Sequence, residues 1–339
     1  MKRLCAVVVV AGLALLSGVV ALSGSNPAGA GQFPGTNGKI AYEKYDDSFD
    51  SSNIWVINPD GSGDTQLTFG AEFYNYEPSW SPDGTRIAFA SDQSGGTEVW
   101  VMNADGSGQT NISNSPDRDE QPSWSPDGTR IAFTSIRDDN SEIYVMDADG
   151  SGQTNLTNSP ADDEFPQWSP DGTRIAFNRY QDDSSEIYVM DADGSGQTNI
   201  TNSPANDSSP SWSPDGTRIA FTSYGGEQDE VYVMDADGTG QTNITNNPAD
   251  DFGPEWSPDG TRIAFTSDRD GNYDVYVMGA DGSGQTRVTT TADGESFSPA
   301  WQAGPVVPPT TTTTTTVAPP TTAPPAVVVA VTATPTFTG

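Results

Sequence analysis

The sequence Trp-Ser-Pro-Asp-Gly-Thr-Arg-Ile-Ala-Phe, residues 124–133, occurs five times in this chain without a change. Each copy starts 44 residues after the one before it. The starts are Trp80, Trp124, Trp168, Trp212 and Trp256, and a degenerate sixth copy is Pro299-Ala300-Trp301. Self-similarity at a fixed period of about 20–50 residues indicates a repeat architecture, so this unit organises most of the 339 residues.

Each unit contains four short candidate strands. The last three in the unit that begins at Trp124 are Ile131 to Phe133, Ile143 to Met146 and Thr154 to Thr157. The middle runs are apolar on both faces, as expected for a sheet packed between two neighbours. The segments Ser125-Pro126-Asp127-Gly128 and Asp149-Gly150-Ser151-Gly152 are typical of hairpin turns. Four strands in each 44-residue unit predict the blades of a β-propeller.

The two ends of the repeat region complement each other. The first unit begins at Lys39-Ile40-Ala41-Tyr42, which corresponds to the Ile-Ala-Phe strand and lacks a Trp strand before it. The missing strand is found at Ser298 to Trp301. Pairing these segments would remove exposed sheet edges. We therefore predict an all-β fold over residues 31–303, a six-bladed β-propeller of four-stranded blades whose ring is closed by a C-terminal strand joining blade one.

The repeated string Pro-x-Trp-Ser-Pro-Asp-Gly-Thr-Arg-Ile-Ala-Phe, followed by Ile-Tyr-Val-Met-Asp-Ala-Asp-Gly, resembles the WD-like repeats of the TolB-like propeller family over about residues 38–302. Related repeats occur in propellers that gate serine peptidases of the prolyl oligopeptidase type. The resemblance implies the six-bladed fold, but a fold does not fix an activity. TolB carries an α/β domain ahead of its propeller and the peptidases carry a hydrolase domain. Because only a few residues precede blade one after residue 30, we expect no direct Tol–Pal role.

Charge and composition exclude several classes of function. The chain has 14 Lys and Arg against 47 Asp and Glu, a formal net charge of −33. No nucleic-acid partner is expected, because phosphate binding requires a positive patch. The sequence has no histidine, and its one cysteine is Cys5. Ser-His-Asp, Cys-His and His-metal catalysis are therefore excluded once the N-terminal segment is removed, and we predict a protein that is not an enzyme.

The first 30 residues predict a signal peptide. Lys2 and Arg3 precede an apolar run from Ala6 to Leu22, and Ala28-Gly29-Ala30 offers a small-residue cleavage site. The alternative is an uncleaved membrane anchor, because the run is near the lower limit for spanning. Cleavage would leave an exported protein that is secreted, associated with the cell wall or periplasmic.

Residues 304–339 differ sharply in composition from the repeats. They include seven consecutive threonines, Thr310 to Thr316, and many prolines. Such a segment does not pack a core, so we predict a disordered Thr/Pro-rich stalk. The apolar run Ala326 to Val331 is too short to cross a bilayer, and no integral membrane span is expected in the mature chain.

One polar position recurs three residues before the Pro of each Trp strand. Its residues are Asn75, Asp119, Asp163, Asp207 and Asp251, with Ser296 as the sixth equivalent. If the Trp strand is innermost, these side chains surround the mouth of the central channel. Four carboxylates in one ring would repel one another unless they are protonated, well solvated or matched by a cation. The ring is a candidate binding site for a basic group or a metal ion; the alternative is that each Asp accepts hydrogen bonds within its own turn.

A second candidate site contains only oxygen ligands. Asp268, Asp270, Asn272 and Asp274 occupy alternate positions in one predicted hairpin, partly like a calcium loop. The segment lacks the bidentate Glu at the twelfth position of an EF-hand loop, and such residues are also common in hairpins. Calcium is the one cofactor that the sequence suggests.

Chain direction predicts two unlike faces, because the Ser-Pro-Asp-Gly and Asp-Ala-Asp-Gly turns share one end of the blades. The opposite end carries loops that differ between repeats, such as residues 135–142 and 180–186. Such loops carry specific contacts on a rigid scaffold or diverge as solvated loops. We also expect the repeated arginines to pair with nearby carboxylates. The arginines are Arg86, Arg130, Arg174, Arg218 and Arg262, and the expected partners are Glu98, Glu142, Glu186, Glu230 and Asp274.

These observations favour an exported, monomeric propeller that acts as a binding scaffold for a protein or a cell-wall glycan. An enzyme that uses paired carboxylates on glycans is one alternative. A purely structural surface module is the other.

Overall fold

The computed structural model describes residues 35–304, apart from residues 47, 71, 138–139 and 291–293. Within these residues every regular element is a β-strand, and none forms a helix long and apolar enough to cross a membrane. The predicted signal peptide lies outside the described residues, and so does the predicted stalk apart from Gly304.

Six antiparallel sheets of four strands form the six blades. Blade 1 contains β1 (Asn37–Tyr45), β2 (Ser52–Ile57), β3 (Thr65–Gln66) and β24 (Ser296–Ala303). Blade 2 contains β4 (Asn75–Trp80), β5 (Arg86–Ser91), β6 (Glu98–Asn103) and β7 (Thr110–Asn111). Blade 3 contains β8 (Asp119–Trp124), β9 (Arg130–Ser135), β10 (Glu142–Asp147) and β11 (Thr154–Asn155).

The same order continues through the second half of the ring. Blade 4 contains β12 (Asp162–Trp168), β13 (Arg174–Gln181), β14 (Ser184–Asp191) and β15 (Thr198–Asn199). Blade 5 contains β16 (Asn206–Trp212), β17 (Arg218–Tyr224), β18 (Asp229–Asp235) and β19 (Thr242–Asn243). Blade 6 contains β20 (Asp251–Trp256), β21 (Arg262–Ser267), β22 (Asp274–Gly279) and β23 (Thr286–Arg287).

The predicted ring closure is confirmed. Strand β24 pairs antiparallel with β1, and Ile40 lies opposite Trp301. The innermost strands β4, β8, β12, β16, β20 and β24 each contact the innermost strands of both neighbouring blades. The closed ring leaves only the short outermost strands as edges, which limits edge-to-edge pairing with other chains.

The core lies between the blades and is built from the repeated motif. All six tryptophans of the Trp strands are at most 2% exposed, and the Ile-Ala-Phe strands beside them are equally buried. Full burial of one large apolar side chain contributes about 1.5–3 kcal/mol. Repetition of the motif therefore gives each blade interface the same apolar contacts.

The expected pairing of the repeated arginines is wrong. In blade 3, Arg130 lies opposite Asp147 at one end of the β9–β10 pair, whereas Glu142 lies opposite Ser135 at the other end. At about 3.3 Å per residue, the two ends are too far apart for an ion pair. The guanidinium carbon of Arg130 instead lies 4.6 Å from the ring centroid of Trp168 in the next blade.

The same stacking recurs at three other blade interfaces, where the arginines are Arg86, Arg174 and Arg218. A guanidinium over an indole face gains cation–π attraction. The carboxylates expected as partners instead bind hydroxyl groups at the opposite end of their strands, as Glu142 does with Thr157. These carboxylates are Glu98, Glu142, Glu186, Glu230 and Asp274, which bind Ser113, Thr157, Thr201, Thr245 and Thr289.

The turns between the first and second strands and between the third and fourth strands of each blade form one face of the ring, which we call the turn face. These turns pack between blades. Gly150 has φ +88°, and a Cβ atom there would lie 2.0 Å from the carbonyl oxygen of Ile112 in the preceding blade. Gln153 donates from Nε2 to the carbonyl oxygen of Ser113 at 2.8 Å. In the turn itself, Asp149 Oδ1 accepts a hydrogen bond from the Ser151 amide at 3.0 Å. The turn face is thus occupied by contacts that hold the blades together.

Candidate functional site

The connections at the other end of the blades form what we call the loop face. It consists of the links between the second and third strands of each blade and of the crossings from one blade to the next. The predicted ring of acidic residues lies at this end, at or near the start of the innermost strands. Their side chains are at most 4% exposed. They bind groups of their own blades, and Asn75 also donates to the carbonyl oxygen of Ser52 in blade 1. The ring residues are Asn75, Asp119, Asp163, Asp207 and Asp251.

Three of the four carboxylates are matched by an internal arginine. In blade 4, Arg179 binds Asp163 through two bonds, from Nε to Oδ1 at 2.6 Å and from Nη2 to Oδ2 at 2.8 Å. The guanidinium also lies 4.7 Å from the ring centroid of Tyr188. Burial still raises the pKa of Asp163, although the hydrogen bonds and charge of Arg179 act in the opposite direction. The corresponding pairs in blades 3 and 6 are Asp119 with Arg137 and Asp251 with Arg269.

Blades 5 and 2 satisfy the same position without an arginine. Asp207 accepts hydrogen bonds from Ser223 Oγ at 2.5 Å and from Ser203 Oγ at 2.9 Å. Burial raises its pKa to about 6. In blade 2 the neutral Asn75 accepts from Ser91 Oγ at 2.8 Å. These buried contacts hold the ring residues to their own blades and to the preceding segments of the chain. Recognition of a partner by these side chains stays a prediction.

The four residues of the predicted calcium loop have different surroundings. Asp268 Oδ1 accepts from the amide of Asp250 at 3.0 Å. Asp270 binds the hydroxyl of Tyr276. Asp274 is buried and binds Arg287, and Asn272 lies in the turn between them. Among the residues that the structure describes, no group of three or more Asp, Glu, His or Cys is arranged to hold a metal, and calcium binding by this segment stays a prediction.

A more varied set of side chains follows the acidic ring by one residue. We call it the mouth ring, because its members occupy equivalent positions in the six innermost strands, and neighbouring members are in contact at two blade interfaces. The Tyr76 hydroxyl donates to Glu120 Oε2 at 3.2 Å, and the Phe252 and Phe297 rings stack with centroids 6.3 Å apart. The mouth ring consists of Tyr76, Glu120, Glu164, Ser208, Phe252 and Phe297. Sequence reasoning missed it, although its variation between otherwise similar repeats was a usable signal.

The backbone just below the mouth ring is fixed by a bulge in each innermost strand. The next residue of every blade has a positive φ, between 51° and 61°, and the strand register shifts there. This geometry lets the residue bond to the preceding blade: Glu77 donates its amide to Glu43 Oε2, and Gln121 donates to Glu77 Oε2. Phe165 continues the series by donating to Gln121 Oε1. These linked amides hold the mouth ring in a defined position.

One sector of the mouth ring is charged. Arg118 binds Glu120 at 2.7 Å, and Glu164 Oε1 accepts from Ser141 Oγ at 3.0 Å. Burial, followed by the charge of Glu120, raises the pKa of Glu164 to about 7. The opposite sector is aromatic and contains Phe252 and Phe297. The mouth therefore offers different chemistry on its two sides.

A shallow polar groove of about 840 Å³ lies elsewhere, along the seam between blades 2 and 3. Its lining includes Ile112, Ser113 and Gln153, which are the residues that join these blades. Equivalent contacts occur at other seams, as between Gln241 and Thr201. The groove thus follows from blade packing and does not compete with the mouth as a site.

Solved structures with the same architecture include TolB from Acinetobacter baumannii, which is 24% identical with a TM-score of 0.69 over 78% of this chain and 66% of that chain. The putative TolB from Agrobacterium tumefaciens is 21% identical with a TM-score of 0.62 over 79% of this chain and 99% of that chain. An oligogalacturonate lyase solved in complex with manganese is 15% identical, with a TM-score of 0.54 over 78% and 87% of the two chains. At these identities the likeness shows a shared fold.

Comparison of the sequence with curated proteins finds no match. The family described as the TolB beta propeller domain matches residues 107–181 and 166–306, which together exceed half of the chain. The match includes four of the five intact Trp motifs and the closing strand. With the sequence match and the six-bladed architecture in agreement, this chain belongs to the TolB beta-propeller family.

Proposed function

We propose that this propeller is an exported binding scaffold that holds a protein or glycan partner against its loop face. The N-terminal segment, with its basic start, apolar run and Ala-Gly-Ala exit, supports export. The division of the molecule into two faces supports binding. On the turn face the repeated side chains serve blade packing, whereas the loops opposite differ from blade to blade. Varied loops on a rigid scaffold are a common arrangement for recognition.

The observation that carries the proposal is the mouth ring. The Trp motif is identical in five blades, yet the ring position holds Tyr, Glu, Glu, Ser, Phe and Phe. If the position served only packing within repeated blades, we would expect the same residue type in every blade. The aromatic and charged sectors instead give the mouth an orientation, so that a partner would be bound in one way around the axis.

Binding, without catalysis, is the function that we propose. The alternative of a glycan-active enzyme finds one supporting observation in Glu164, whose raised pKa beside Glu120 is a property of general acids. Under the binding proposal, neither the parent protein nor the Glu164→Gln variant releases a product from cell-wall glycans. Loss of a measurable turnover in that variant would instead favour the enzyme.

The proposal is tested by cross-linking from the two faces in living cells. A photoreactive benzoylphenylalanine replaces Tyr180 or Glu227 on the loop face, and Ser195 on the turn face as the matched control. All three positions are exposed and lie in blades 4 and 5. We expect one discrete, saturable adduct from the loop-face positions and none from Ser195. Adducts from Ser195 alone would overturn the assignment of the face, and the absence of adducts from all positions would favour the purely structural module.

A further inference from the structure

The loop face carries a group of four aromatic side chains from blades 6 and 1, which we call the aromatic patch. The Tyr273 ring lies 5.5 Å from Phe252 and 5.1 Å from Phe297, centroid to centroid. Tyr45 meets Phe297 edge to face at 5.6 Å. Phe252 is buried, whereas the other three remain partly exposed. Partly exposed aromatic clusters of this kind are enriched at binding interfaces.

Four carboxylates surround this patch, and we call them the acidic rim. Asp250 Oδ1 accepts the amide of Asp229 at 3.2 Å, and Asp268 Oδ1 accepts the amide of Asp250 at 3.0 Å. Glu295 lies beside the aromatic patch, since its backbone carbonyl oxygen accepts the amide of Tyr45 at 2.9 Å. The negative charge of all four groups, after burial, raises the pKa of the Tyr273 phenol.

No described Lys or Arg forms an ion pair with the acidic rim. The ion pairs of the described chain involve Arg118, Arg137, Arg179, Arg269 and Arg287, and none of these pairs reaches Asp229, Asp250, Asp268 or Glu295. Arg269, the nearest in sequence, is bound to Asp251. Burial and the charge of Asp250 raise the pKa of Asp229 to about 7, and burial with the charges of Asp268 and Asp274 does the same for Glu295.

Inside the same molecule, a carboxylate next to an aromatic ring binds an arginine side chain. In blade 3 the Arg137 guanidinium lies 4.8 Å over the Tyr144 ring and 2.9 Å from Asp119. Blades 4 and 6 repeat this arrangement of carboxylate, cation and aromatic ring. The aromatic patch and the acidic rim provide the ring and the carboxylates at a partly exposed location, without the cation.

We propose that the aromatic patch and the acidic rim together form a subsite for an arginine or lysine side chain in a basic segment of a protein partner. Charge complementarity supports this occupant, since a cation gains attraction both from the carboxylates and from the aromatic faces. A neutral glycan would leave the rim charges unmatched. The inference rests on the proposed binding function and assigns a chemistry to one sector of the loop face.

The test uses the full chain and a short acetylated peptide with two arginines, titrated calorimetrically at 0.15 M ionic strength (about 8 Å screening length). A peptide with citrulline in place of arginine is the neutral control. We expect the Asp250→Asn/Glu295→Gln variant to bind the arginine peptide about tenfold more weakly, which is about 1.4 kcal/mol. Tyr273→Leu should weaken binding about fivefold, and Tyr273→Phe, which keeps the ring, should bind like the parent.

The matched control variant, Asp149→Asn/Asp193→Asn, removes two charges from the turn face and should leave the affinity unchanged. Equal binding of the citrulline peptide, or an equal loss in the turn-face variant, would overturn the subsite. Absence of arginine-peptide binding would also overturn it. If any of these results were obtained but the loop-face positions still gave cross-links, the subsite would be wrong and the proposed binding function would stand. Thermal unfolding of each variant checks that the affinity changes do not come from loss of the fold.

Discussion

At the scale of single residues, the loop-face end of each blade depends on how one buried acid is compensated. Asp163 has a side chain that is fully buried, and Arg179 is 12% exposed. Bidentate contact with a carboxylate is the strongest geometry available to arginine. Blade 2 has a neutral Asn75 at the equivalent position, which accepts from the Ser91 hydroxyl and donates to the Ser52 carbonyl oxygen. The chain thus contains its own precedent for replacing the ion pair.

That precedent gives a double-mutant prediction. Arg179→Met leaves the Asp163 carboxylate buried without its cation and should lower the free energy of unfolding by about 3–5 kcal/mol. Adding Asp163→Asn removes the uncompensated charge and should restore at least half of the loss. Urea unfolding of the two variants and the parent measures both steps. A double variant no more stable than Arg179→Met would show that Arg179 acts through its packing on Tyr188 and not through the ion pair.

At the scale of elements, the hairpin turns connect the blades as well as their own strands. Gly150 adopts a left-handed conformation and approaches Ile112 of the preceding blade. Gly95, in a hairpin of blade 2, also has a positive φ of 99°, but a Cβ atom there would have nothing within 4 Å. Comparing Gly150 with Gly95 therefore distinguishes the cost of the left-handed backbone from the cost of a clash between blades.

We therefore predict unequal effects of the same substitution. Gly95→Ala should cost about 1–2 kcal/mol, from the left-handed backbone alone. Gly150→Ala should cost about 1–3 kcal/mol more, because the methyl group collides with a backbone carbonyl and forces the blades apart. Denaturant unfolding measures both values. Equal losses of unfolding free energy in the two variants would mean that the blades accommodate the added methyl group without cost. The turns would then not contribute to packing between blades.

The elements were predictable from the sequence to different degrees. The Trp and Ile-Ala-Phe strands recur with one period, so the blades and the pairing of Ile40 with Trp301 followed from the repeat. The stacking of Arg130 on Trp168 did not, because it depends on how adjacent blades pack. Arg137 was missed as the partner of Asp119 because it lies beyond the end of its strand. The aromatic patch combines side chains from three strands and one loop. These elements are far apart in the sequence, so no short motif could predict that they meet.

At the scale of the whole molecule, burial raises the pKa of several acids toward neutral pH. An acid whose pKa is higher in the folded than in the unfolded chain stabilises the fold fully below the unfolded pKa and loses that contribution as the pH rises through the folded value. The pKa rises to about 7 for Glu164, Asp229 and Glu295 and to about 6 for Asp207, from ordinary values of 4.5 for Glu and 3.8 for Asp. Burial is the first cause for each. The charged groups around them are Glu120, Asp162, Arg118, Asp250, Asp268, Asp274 and Glu186.

The free energy of unfolding should therefore decrease as the pH rises from about 5 to 8, since the folded chain binds more protons than the unfolded chain across this range. Combining Asp207→Asn, Glu164→Gln and Glu295→Gln should flatten the decrease. Asp149→Asn is the control. Hydrogen bonds from Ser151 lower the pKa of Asp149, so it titrates below this range and its removal should leave the slope unchanged.

The affinity for the arginine peptide should instead increase with pH over the same range, because the rim carboxylates ionise. Stability that rises with pH across this range would contradict the assigned pKa directions, and peptide affinity that falls with pH would contradict the cation subsite.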